Sequence, residues 1–92
     1  MIEKKILIIE DDSDITELLR YNLERERFAV SIAGSGELGL DLAESIRPSL
    51  ILLDLGLPGI QGLEVCKMLK GSKSTDWIPI VMLTARSECD VA

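Results

Sequence analysis

The chain has 92 residues, 47% hydrophobic and 28% charged, with a net charge of -6, two cysteines and no histidine. That size and balance suit one small folded domain rather than a disordered chain. The acidic surplus argues against nucleic-acid or anionic-membrane binding by this segment, since both need clustered Lys and Arg.

Other classes lose support on equally simple grounds. With no His and no CxxC, zinc and thioredoxin-like readings are unsupported. Apolar runs are much shorter than a membrane span, and no secretory leader pattern opens the chain, so the default expectation is the cytoplasm. Aromatic residues make up only 3%, which leaves the core to Leu and Ile.

Lys5 to Ile9 reads as a first strand, closed by Glu10-Asp11-Asp12. Ser13 is the expected N-cap of a helix to about Glu26, with Ile15, Leu18, Leu19 and Leu23 as one buried stripe. Phe28 to Ala33 alternates as a shorter strand near a sheet edge. Gly34-Ser35-Gly36 turns the chain into a second helix, capped by Ser35, with Leu38, Leu42 and Ile46 inward and an end before Pro48.

Leu50 to Leu53 is an uninterrupted apolar run ending in Asp54, as expected of a strand covered on both faces. Leu55-Gly56-Leu57-Pro58-Gly59 must then be a loop. Gln61 to Lys70 reads as a third helix, with Val65, Cys66 and Leu69 inward and Glu64, Lys67 and Lys70 outward. Cys66 is read as a small core hydrophobe. Gly71 ends that helix, Ser72 to Asp76 is a surface connection, and Ile80 to Leu83 is a strand closed by Thr84.

The alternation of strands and helices predicts an α/β fold of the flavodoxin-like, doubly wound kind, with a parallel sheet in the order 2-1-3-4. In such sheets the ligand site lies beyond the carboxyl ends of the strands. Glu10, Asp11, Asp54 and Thr84 should therefore share one rim. Carboxylates on adjacent strands repel unless a cation joins them, and Asp11, Asp54 and a loop carbonyl offer the oxygen donors that magnesium takes. Asp54 could also act as a nucleophile forming an acyl phosphate, with the Thr84 hydroxyl and the loop amides near Gly56 and Gly59 bonding phosphoryl oxygens.

Glu10-Asp11-Asp12 after strand one, the Asp54-Leu-Gly-Leu-Pro-Gly-Ile-Gln-Gly62 loop and Thr84-Ala85, in this order and spacing, resemble the receiver domains of bacterial two-component response regulators. The run Ile80 to Arg86 looks most like the DNA-binding transcription-factor branch. The resemblance implies that Asp54 accepts a phosphoryl group from a histidine kinase and that the state is read by an output domain or partner. It also implies magnesium held by Asp11, Asp54 and the Gly56 carbonyl, with Glu10 acting through water and Thr84 as the switch hydroxyl. The domain would be a phosphoacceptor and not an enzyme.

Family receivers also carry a fifth strand with a phosphate-pairing lysine, a switch aromatic and two more helices, none of which falls within residues 1–92. The expectation is a C-terminally incomplete receiver, whose Ile80–Leu83 edge invites pairing with another chain. Two alternatives stand beside this reading. A non-phosphorylated interaction module would keep the fold. A haloacid-dehalogenase-type phosphatase would also use an Asp nucleophile, but it wants a second Asp where Gly56 stands.

Overall fold

A computed structural model describes residues 3–57 and 59–83. Its elements follow in the order β1 (Lys5–Ile9), α1 (Ser13–Arg25), β2 (Ala29–Ala33), α2 (Gly36–Ile46), β3 (Leu50–Leu53), α3 (Gly62–Lys70) and β4 (Ile80–Met82). The strands form one parallel sheet in the order β2-β1-β3-β4, which is the winding expected from the alternation of elements.

The pleat sends alternate residues to opposite faces, so β1 and β3 supply two cores at once. Leu7, Ile9, Ile51 and Leu53 pack with Ala43 of α2 and with Val65, Cys66 and Leu69 of α3. Ile6, Ile8 and Leu52 face the other way, toward Leu19 and Leu23 of α1. This double coverage explains why both strands lack polar alternation.

The buried helix faces differ from the expected leucine stripes. In α1 the covered arc runs through Thr16, Leu19 and Leu23, while Ile15 is 41% and Leu18 63% exposed. The physical reason is rotational: Leu18 lies well over 90° around the helix from the centre of that arc at about 100° per residue. In α2 the buried residues are Gly36, Gly39 and Ala43, and Leu38 is exposed. Small residues are wanted there because a Cβ at position 39 would come within 2.5 Å of Ile9 Cδ1.

Three smaller corrections concern ends and connections. Asp12, not Ser13, caps α1, its carboxylate accepting from the Asp14 and Ile15 amides at 2.9 and 3.4 Å. The second strand begins at Ala29 rather than Phe28, because the Phe28 amide donates back to the Leu23 carbonyl of α1 at 3.2 Å and the Ala29 amide is the first to bond toward β1, to the Lys4 carbonyl at 2.9 Å. Thr75, expected on the surface, is buried. Its hydroxyl donates to the Leu69 carbonyl at 2.7 Å and thereby ties the turn to the end of α3.

Candidate functional site

Beyond each strand the ladder continues for one more residue. The Glu10 amide donates to the Ala33 carbonyl (2.9 Å), the Asp54 amide to the Ile9 carbonyl (3.0 Å) and the Leu83 amide to the Leu53 carbonyl (2.9 Å). The residues after β1, β3 and β4 are thus pinned to one rim by backbone bonds, before any side chain takes part.

On that rim the carboxylates of Glu10, Asp11 and Asp54 converge, each offering an oxygen within 4.8 Å of the others. Their burial is graded. Glu10 forms the floor at 4% exposure, Asp54 is half-buried, and Asp11 is open to solvent. Gly56 adjoins the group, since a Cβ there would stand 3.6 Å from Asp54 Oδ2. Thr84, the fourth residue expected at this rim, lies outside the described residues, as does Pro58 of the loop.

Glu10 carries the electrostatic strain of the cluster. Burial pushes its carboxyl above the usual 4.5, and the neighbouring Asp54 and Asp11 charges add to that. The Asp12 amide, donating to Glu10 Oε2 at 3.0 Å, opposes the shift in part. A carboxyl raised on folding holds its proton more tightly in the folded state, so its contribution to stability is present at pH below the unfolded value and is lost as pH rises through the folded one.

Two consequences follow for the metal-free protein. Going from acid to neutral pH should cost stability at this position, and Glu10→Gln should be more stable than wild type at neutral pH, with a smaller drop over the same interval. Thermal midpoints taken in chelator at acid and neutral pH check this; a variant whose midpoint moves in parallel with wild type would assign the strain elsewhere.

One contributor was not legible as a site residue. Gly62, at the start of α3, lies against the Asp54 backbone and donates its amide to the Leu55 carbonyl at 3.2 Å. The signal available in the sequence was a glycine inside a helix, where its propensity is poor, so that some close approach is the natural explanation.

This geometry can be set beside known proteins. Residues 6–92 match the family described as the response regulator receiver domain. The chain belongs to that family. Among curated relatives, this receiver is 47% identical over 87 residues to the alkaline phosphatase synthesis transcriptional regulatory protein PhoP of Bacillus subtilis. It is 38% identical over 87 residues to the DNA-binding response regulator MtrA of Mycobacterium tuberculosis. Both alignments take in 95% of the receiver but only 35% and 37% of the relatives, so the chain spans about a third of their length.

Solved structures agree on the fold. The N-terminal domain of a response regulator receiver protein from Methanoculleus marisnigri JR1 superposes with a TM-score of 0.85 at 33% identity, covering 89% of this receiver and 67% of that chain. The receiver domain of a sensor histidine kinase from Pseudomonas aeruginosa PAO1 superposes with a TM-score of 0.87 at 25% identity, covering 92% and 70%, and was solved with a magnesium ion coordinated in its active-site cleft. The chain is accordingly a phosphorylatable signalling domain of the two-component type. None of its described helices is long and apolar enough to cross a membrane.

Proposed function

We propose that Asp54 is the phosphoacceptor of this receiver and that Asp11, Asp54 and the Gly56 carbonyl hold a magnesium ion directly, with Glu10 acting through water. The observation that carries the reading is the convergence of three carboxylates from the ends of β1 and β3 within 4.8 Å. So many anionic oxygens at such range form a donor set for a hard divalent cation. A bound magnesium ion supplies positive charge that offsets the carboxylates and the incoming phosphoryl oxygens.

The protein's own part is positioning. The Asp54 backbone is fixed by its bond to Ile9, and its half-buried carboxylate offers an oxygen to the rim cluster; in this reading its other oxygen attacks phosphorus. With the phosphohistidine of a sensor kinase as donor, a P–O bond to Asp54 forms, the P–N bond breaks, and the imidazole leaves and takes up a proton. Thr84 is assigned the hydroxyl that turns toward the new phosphoryl group. The added charge then biases a surface read by an output domain, which in a longer protein resembling PhoP or MtrA would bind DNA.

Catalysis in this reading is confined to the domain's own gain and loss of phosphate. The site is set in a cytoplasmic regulator, and the outer edge of β4, which pairs only with β3 among the described strands, is read as a surface for association with a second chain. The test of the central reading is incubation of the full chain with acetyl phosphate. Covalent labelling is expected with magnesium and should vanish with chelator; equal labelling under both conditions would reject the metal assignment.

A further inference from the structure

At its first residue, Gly62, α3 comes directly against the backbone of the proposed phosphoacceptor. An added Cβ at position 62 would fall on the Asp54 carbonyl oxygen, 2.5 Å from Leu55 Cα and 3.0 Å from the Asp54 carbonyl carbon. These are main-chain atoms, and they cannot swing aside as the end of a side chain does. At position 36, by contrast, the nearest atom to an added Cβ is Val65 Cγ2, which belongs to a side chain.

We propose that Gly62 is a positioning residue for phosphoryl transfer: its missing side chain lets α3 seat against the Asp54–Leu55 peptide and so sets where the Asp54 carboxylate stands relative to Glu10 and Asp11. The inference rests on the reading of Asp54 as phosphoacceptor. Asp54 is held from two sides. Its amide donates to Ile9 in the sheet, and the Gly62 amide donates to the next carbonyl, that of Leu55, from the helix. A methyl at 62 has to push one of these supports away. Displacement of a reacting group by about an ångström can cost on the order of 100-fold in rate.

A purely structural glycine would cost stability and leave the chemistry of the folded molecules alone, and the experiment separates the two. Gly62→Ala, wild type and Leu69→Ala are compared in the full chain. Leu69 is buried at the far end of α3, so its truncation lowers stability without touching Asp54. The readouts are magnesium affinity by calorimetry and the rate of labelling by acetyl phosphate, each corrected for the folded fraction.

Gly62→Ala is expected to label roughly 10- to 100-fold more slowly per folded molecule and to bind magnesium more weakly, whereas Leu69→Ala keeps both values at wild type. A Gly62→Ala protein that labels at the wild-type rate overturns the proposal. Should the variant fail to fold, amide resonances of the wild-type chain decide. Addition of magnesium should move the Gly62 signal together with those of Asp54 and Gly56, and a Gly62 signal that stays in place while the other two move overturns it equally. Failure of wild type to label at all would instead strike the phosphoacceptor reading, so the two failures are distinct.

Discussion

Asp54→Asn will abolish labelling by a phosphodonor while leaving the fold intact. Asparagine keeps the size and hydrogen-bonding shape of the side chain but removes the anionic oxygen that, in the proposed transfer, attacks phosphorus. The loss is therefore one of chemistry and not of packing. The same exchange deletes one of three carboxylates that lie within 4.8 Å of one another. In the absence of divalent cations, the variant should be at least as resistant to urea as wild type, because like charges no longer crowd the rim. An unlabelled but destabilised variant would mean that Asp54 supports the loop and does not serve as acceptor.

The second large effect lies in the core. Leu7→Ala should cost about 2–5 kcal/mol, the usual range for a fully buried leucine truncated in a well-packed interior. Leu7 is completely buried at the centre of β1, paired to Ser31 on one side and Ile51 on the other, and belongs to the larger of the two apolar clusters. Small domains hold only about 5–15 kcal/mol in total, so the variant keeps a narrow margin. Urea unfolding followed by circular dichroism checks this, and a loss well under 1 kcal/mol would show that the face covered by α2 and α3 repacks around the gap.

The strands were the most legible part of the sequence. Ile6-Leu7-Ile8-Ile9 and Leu50-Ile51-Leu52-Leu53 have no polar alternation, and both turn out to be inner strands buried on two faces. Their polar closers, Glu10 and Asp54, follow directly from the parallel arrangement, because parallel strands gather their carboxyl ends on one side. This is why a rim cluster could be read without any view of the fold.

The helices were less legible, for a reason visible in α1 and α2. Hydrophobic periodicity rewards large side chains and therefore selected Leu18 and Leu38, both exposed here, while the residues that are buried include Thr16, Gly36, Gly39 and Ala43. Where a helix must come close to a strand, smallness outweighs hydrophobicity, as the contact between Gly39 and Ile9 illustrates. Gly62 was hidden in the same way. Its contribution is the absence of atoms, which no pattern of apolar residues records.

The most direct measurement is to place the phosphoryl group on the chain. After labelling with acetyl phosphate and magnesium, borohydride reduction converts a phosphorylated aspartate to homoserine, and peptide mass spectrometry then finds the converted position. Conversion at Asp54 alone is the expected result; conversion at Asp11, Asp12 or any other carboxylate, with Asp54 left unmodified, would contradict the assignment.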